Sequence, residues 1–298
     1  MLLIALLSDP RVNTWSHCLY LQTRTAKRYF AVILCAFLGA ACAFGVDSVV
    51  VPPNISHEPW NALLMRYVDN RGLVAYAARK ENQYDLSALD RYLWQFSEKP
   101  RTPVSGDDAA ASLINLYNAA TIRWILSNYP TESIQSLKDS FTAKRYEVGG
   151  SKVSLDDVEK WSLHALLGYR AHAVLVCAAR SCPPLQLFAN LPSRLDEQIE
   201  TAYRVWLGRQ DLNRFLPADK RIEISKIFDW YKHDFEKAGG TAKILAQYGP
   251  PEDRVFLASG AFSTSYLPYN WGLNDQGHHG KEYGLPQVVR DRLIHLFQ

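Results

Sequence analysis

Ala111-Ser-Leu-Ile-Asn-Leu-Tyr-Asn-Ala-Ala-Thr-Ile-Arg-Trp-Ile-Leu126 is apolar nearly all the way round a helical wheel. A helix without a polar face belongs at the centre of a fold rather than on its surface. Asp107 and Asp108 precede it as candidate caps, which predicts a helix running from there to about Ser127. Asn115 and Asn118, three apart, share one face of it. Asparagine is a poor helix former, and burying its amide unpaired costs about 1–3 kcal/mol. Two of them in a core helix must reach another segment's backbone, a buried water or an active site.

The flanks supply what such a helix would pack against. Trp60, Leu63, Leu64, Tyr67 and Val68 form a one-faced helical stripe that Gly72 ends, and Leu86, Leu89, Leu93 and Phe96 form a second. Tyr146 to Val153 reads as a hairpin turning at Gly149-Gly150. Ser154-Leu-Asp-Asp157 reads as an acidic-ended capping box opening a helix to about Leu167. His172 to Ala178 is mostly apolar with β-branched residues, as in a strand buried on both faces. Ser193 is placed to cap a helix with the stripe Leu195, Ile199, Tyr203 and Trp206. A short strand at 221–225, a helix at 227–237, a late strand at 263–267 and a closing helix at 286–296 follow. Helix outweighs strand and the strands do not repeat, which predicts an α+β fold: one helix-rich domain around a small sheet, with the Asn-bearing helix central.

Composition limits the functional classes. The chain has 298 residues, 48% of them hydrophobic, enough for one sizeable core over residues 59–298. A formal charge of +3 with dispersed basic residues argues against a nucleic-acid partner. No phosphate-cradling glycine loop and no paired CxxC spacing appears. Residues 1–45 are of another kind: Lys27 and Arg28, then an apolar run, then Ala41-Cys42-Ala43 follow the order of a secretory signal peptide. We therefore expect export to the periplasm or cell envelope, with 46–58 as a linker. Membrane attachment would come only through an uncleaved leader or a lipid on Cys42.

Without that leader, Cys177 and Cys182 are the only cysteines left. They sit in Arg170-Ala-His-Ala-Val-Leu-Val-Cys-Ala-Ala-Arg-Ser-Cys-Pro-Pro-Leu185. Cys182 lies just past the apolar run, with Arg180 nearby to favour its anion and two prolines behind it. Cys177 reads as a small buried hydrophobe. His172 reaches Cys182 only if the chain folds back, and His164 is the alternative base. A disulfide is also feasible, since four intervening residues can loop to a Cα separation of about 5.5 Å. CxxxxC is weak metal spacing, and His278-His279 reads as solvated loop, so no metal or other cofactor is assigned. Asp234, set among Trp230, Tyr231 and Phe235, is a candidate buried acid or structural hydrogen-bonding group.

These segments together resemble the family catalogued as domain of unknown function 547. The resemblance rests on Ile114-Asn115-Leu-Tyr-Asn118-Ala119, on Ser154-Leu-Asp-Asp-Val-Glu159, and on Arg170, His172, Cys177, Ser181, Cys182, Pro183 and Leu185. Ser225 to Phe235 and Tyr269 to Asn274 complete it. The chain departs from the pattern at Lys160, where the family usually has His, at Asn270, where it has Asp, and at Gly168-Tyr169, where it has Asp-Pro. The family's chemistry is unsettled, so function must be read from the residues.

Three expectations follow. The first is a thiol-dependent hydrolase or transferase acting on a small molecule or peptide. In it Cys182 is the nucleophile, His172 the base, and Asn118 and Glu159 the supporting groups. Asn115, Arg170, Ser181, Tyr269, Asn270, Trp271 and Asn274 would line the substrate site. The second is a non-catalytic envelope binding protein with a structural cysteine pair. The third is a dithiol redox protein using Cys177 and Cys182.

Overall fold

The computed structural model describes residues 48–277. The expected leader at 1–45, Cys42, the histidines at 278 and 279 and the expected closing helix at 286–296 lie outside the described residues.

Helix α1 (Glu58–Tyr67) buries Trp60, Leu63, Leu64 and Tyr67, the stripe its sequence spacing predicts. Helices α2 (Tyr76–Glu81) and α3 (Gln83–Trp94) follow, divided at Asn82, whose side chain accepts the Asp85 N–H as an N-cap. The stripe around Leu89 is thus a helix with its own start. Helix α4 (Gly106–Asn128) is the centre of the domain. Every residue from Ala109 to Ile122 is buried, as an apolar circumference requires. Asp107 and Asp108 occupy its first turn, where carboxylates favour the helix dipole, while Ser105 takes the cap position.

Strands β1 (Tyr146–Val148) and β2 (Ser151–Val153) pair antiparallel around Gly149-Gly150. Gly149 has φ +59°, and a Cβ there would stand 2.3 Å from the Val50 carbonyl oxygen. That close approach shows a difference from the sequence reading. Residues 48–57 are not a free linker: Val51 is buried, Val104 N–H donates to its carbonyl, and Val49 N–H donates to Ser162 Oγ.

The expected helix to Leu167 is broken in register. Helix α5 (Leu155–Val158) opens with the predicted capping box, Ser154 Oγ accepting Asp157 N–H and Asp157 Oδ2 accepting Ser154 N–H. A π-helical turn, Glu159–Leu163, then leads into α6 (His164–Leu167). Helix α7 (Leu195–Leu207) carries the predicted stripe but begins after a 3₁₀ turn, Pro192–Arg194, and Ser193 does not cap it.

A three-stranded sheet closes the far side. Strand β3 (Arg214–Leu216) is antiparallel to β4 (Arg221–Ile224), and β5 (Ser263–Tyr266) is parallel to β4. The crossover between β4 and β5 contains α8 (Ile227–Trp230), α9 (Lys232–Lys237), α10 (Thr241–Tyr248) and α11 (Arg254–Ser259). The fold is α+β and helix-rich, with small sheets, as expected. Among the described residues no helix is long and apolar enough to cross a membrane.

Candidate functional site

The segment read as a buried strand, 172–178, is the main correction. Residues Gly168–Ala173 form a 3₁₀ turn, and the chain from Val174 to Ala178 joins no strand. The reason lies in α4. Asn118 Nδ2 donates to the Val174 carbonyl at 2.8 Å, and Val176 N–H donates to Asn118 Oδ1 at 2.9 Å. One side-chain amide takes the place of a ladder partner, so the backbone is satisfied without a sheet. Asn115 does the same one turn earlier, exchanging two bonds of 2.8 and 2.9 Å with the backbone of Asn190. Both amides expected at a reaction centre clamp another segment's backbone.

Past Val176 the chain turns back on itself. Ala178 adopts φ +61°, Cys182 N–H donates to the Ala179 carbonyl, and Ala179 bridges Leu273. The segment 270–274 holds this loop from outside. Arg180 N–H donates to Gly272, Ser181 N–H donates to Asn270, and Asn270 N–H donates to Ser181 Oγ. From the other side Gly72, at φ +76°, is so close to Pro184 and Leu185 that a Cβ would lie 2.5 Å from Leu185 N.

The turn brings the two sulfurs together. Cys177 Sγ and Cys182 Sγ are 2.7 Å apart, inside an ordinary non-bonded contact of about 3.5–4.0 Å and beyond a disulfide bond of about 2.05 Å. Cys177 N–H donates to Cys182 Sγ at 3.2 Å, and the Tyr269 hydroxyl lies 3.2 Å from Cys182 Sγ and 3.4 Å from Cys177 Sγ. Cys182 is 4% exposed, whereas Cys177 is half-buried. The two thiols are therefore not equivalent. Burial pushes the Cys182 thiol up, but hydrogen bonds from Cys177, Tyr269 and the backbone outweigh it and hold the group below the usual thiol range. The hydrogen bond to Cys182 and burial push Cys177 well above it. Trp230, Tyr269 and Trp271 form an aromatic wall here, with neighbouring centroids 4.7 to 5.9 Å apart.

His172 is not part of this contact. Its Nε2 lies 2.9 Å from Asp234 Oδ2, and its ring packs 4.1 Å from that of Tyr231. The expected Cys182–His172 pairing is therefore replaced by a His172–Asp234 pairing. The Asp234 carboxyl is held below the usual carboxylate range by its hydrogen bond to His172. Glu159 is close by, accepting the Tyr231 hydroxyl at 2.9 Å and lying 3.8 Å from His164 Nε2. Burial, then the neighbouring His172, push the His164 imidazole down. An apolar stack of Trp206, Phe228 and Phe235 backs this cluster, with Phe235 5.5 Å from His172.

The other expected substrate contacts are dispersed. Arg170 pairs with Asp196 on the surface. Asn270 Oδ1 accepts Gly272 N–H within its own segment, and Asn274 Oδ1 accepts the buried Tyr76 hydroxyl at 3.0 Å, tying that segment to α2. Arg180 donates to the Asp275 carbonyl. Ser181, Tyr269 and Trp271 do gather at the thiols. Sequence reasoning missed Tyr76 and Tyr117 beside them and the π turn that presents Glu159. Two cavities, of about 580 and 790 Å³, lie elsewhere, one bordered by His57, Ser112 and Gln198 and one by Arg214, Leu216 and Pro250.

Residues 102–207 match the model of a family described as protein of unknown function, DUF547. That stretch contains α4, the π turn, His172 and both cysteines. No curated protein and no solved structure matches the chain.

Proposed function

We propose that the protein is a thiol–disulfide oxidant whose redox centre is the Cys177–Cys182 pair. The observation that carries this reading is the 2.7 Å sulfur–sulfur contact in which Cys182 is also the acceptor of the Cys177 N–H and lies within reach of the Tyr269 hydroxyl. Those donors favour a thiolate at Cys182, and a thiol with a stabilised anion is the better leaving group. Cys177, the less buried of the two residues, is the one a partner reaches.

The step runs from the bridged form. A partner thiolate attacks Cys177 Sγ, a partner–Cys177 bond forms, the Cys177–Cys182 bond breaks, and its electron pair leaves on Cys182. A second partner thiol, losing its proton to solvent, attacks the mixed disulfide and releases Cys177 as thiolate, which takes up a proton. The partner dithiol is oxidised to a disulfide, and the protein's disulfide is reduced to the Cys177 thiol and the Cys182 thiolate. The substrate class is a peptide or small molecule carrying two thiols. Such chemistry suits an oxidising compartment, in keeping with the leader-like residues 1–45 and export to the periplasm or envelope.

The test is thiol alkylation of the protein equilibrated at graded ratios of reduced to oxidised glutathione, mapped by mass spectrometry. Both cysteines should be protected together at the oxidising end and label together at the reducing end, with a midpoint within the glutathione range. Tyr269→Phe should move that midpoint toward more reducing potentials. Free labelling of both cysteines at every ratio overturns the proposal. Protection at every ratio makes the pair a structural staple instead.

A further inference from the structure

The cluster beside the thiols does not take part in the proposed redox step. His164, His172 and Asp234 come from three segments: the helix after the π turn, the 3₁₀ turn and α9. One ring nitrogen of each histidine and one carboxylate oxygen of Asp234 all lie within 4.8 Å of one another. Among the described residues it is the group of this kind. His172 and Asp234 satisfy each other at 2.9 Å. His164 is not satisfied: its Nε2 is buried and has no hydrogen-bond partner, and Glu159 Oε1, at 3.8 Å, is too far to supply one. A hydrogen-bonded structural pair would need only His172 and Asp234. It gives no reason for a second imidazole, edge-on at 5.0 Å between ring centroids, with a bare nitrogen in a buried site.

We infer that His164, His172 and Asp234 hold a divalent transition-metal ion, and that zinc fits the set best. Two imidazoles and one carboxylate are zinc-type donors, bound at about 2.0–2.2 Å. Two such ligands around one ion stand about 3.4 Å apart at the tetrahedral angle. Around an ion the widest pair, now within 4.8 Å, would draw in by about 1.4 Å and the 2.9 Å His172–Asp234 pair would open by about 0.5 Å. Phe235 and Tyr231 wall the site and orient the His172 ring, and Glu159, fixed by the Tyr231 hydroxyl, borders it on the His164 side. Three protein ligands leave a fourth position for water or for an incoming group.

The test is cobalt titration of the full chain after treatment with a chelator, alongside a Cys177→Ser/Cys182→Ser double variant. One cobalt per chain is expected in both proteins, with visible d–d bands and no thiolate-to-cobalt charge transfer, and zinc should displace it. His164→Gln should weaken binding at least about tenfold with an unchanged far-ultraviolet circular dichroism spectrum. A rise in wild-type melting temperature on adding zinc supplies a readout independent of any variant. Binding no tighter than that of His164→Gln overturns the proposal, as does a spectrum dominated by charge transfer that the double cysteine variant abolishes. Because that variant lacks the redox centre, failure of the thiol reading leaves the metal test untouched.

Discussion

Both ends of the Asn118 amide are taken by the backbone of the segment that leads to Cys177. Asn118→Ala would leave a buried carbonyl and a buried N–H unpaired, so it should lower stability by about 2–4 kcal/mol in urea denaturation. Asn118→Asp can still accept from Val176 but places an oxygen against the Val174 carbonyl, and should not rescue. The need for such a partner was legible in the sequence, because two amides in an apolar helix must be satisfied. Its identity was not, because Val174 is brought to α4 by tertiary packing. For the same reason the His172–Asp234 pair was hidden, although both residues stood out. His57 allows a pH test. Its ring sits between the Tyr92 hydroxyl at 2.9 Å and Ser112 Oγ at 3.2 Å, and burial lowers its pKa from 6.5 to about 4. Between those values the unfolded chain binds the extra proton, so stability should fall as pH drops from about 6.5 to about 4, by at most about 3 kcal/mol. Urea midpoints at pH 7 and 4.5 should differ less in His57→Gln than in the wild type.

The Ser154 capping box, the hairpin at Gly149-Gly150 and the stripe of α7 are local patterns, and each was legible because its own few residues decide it. The π turn was not. Glu159–Leu163 carries no local signal for an extra residue, and the turn accompanies tertiary contacts of Glu159 with Tyr231 and of His164 with His172. The strand expected at 172–178 failed for a related reason: apolar, β-branched composition reports burial and not which partner satisfies the backbone. Two predictions belong at this scale. Ser154→Ala removes the bond to Asp157 N–H and should cost about 0.5–2 kcal/mol in thermal unfolding. Gly72→Ala is more severe. Its positive φ and the 2.5 Å approach to Leu185 N leave no room for a methyl, so the cysteine loop must move. It should lose about 2 kcal/mol or more and alkylate faster at Cys182 in the reduced state than the wild type.

The stretch that resembles a known family, 102–207, holds both thiols, yet the molecule completes the site from outside it. The segment 269–276 is laced to distant parts of the chain. Leu273 N–H donates to Glu132, Asn274 N–H donates to Ala178, Val74 N–H donates to Asn274, and Gln276 Nε2 donates to Tyr67 and Leu73. Asp234 reaches His172 from the crossover between β4 and β5, and Gly72 supports the loop from the N-terminal side. Removing the elements outside 102–207 would take α2 and α3 from the apolar circumference of α4 and would unpair the backbone around Ala178 to Ser181. Buried polar backbone without partners and an uncovered apolar helix cannot both be tolerated by a structure of marginal stability. A fragment spanning 102–207 should therefore show no cooperative unfolding transition and poor dispersion of its amide resonances, whereas the full chain unfolds in a single sigmoidal step. The same fragment, with its two cysteines freed from Tyr269, should alkylate readily at both positions at every glutathione ratio at which the full chain is protected. A fragment that melts cooperatively with a protected cysteine pair would show that the centre is built by the matched segment alone, and that the outer elements serve some other end.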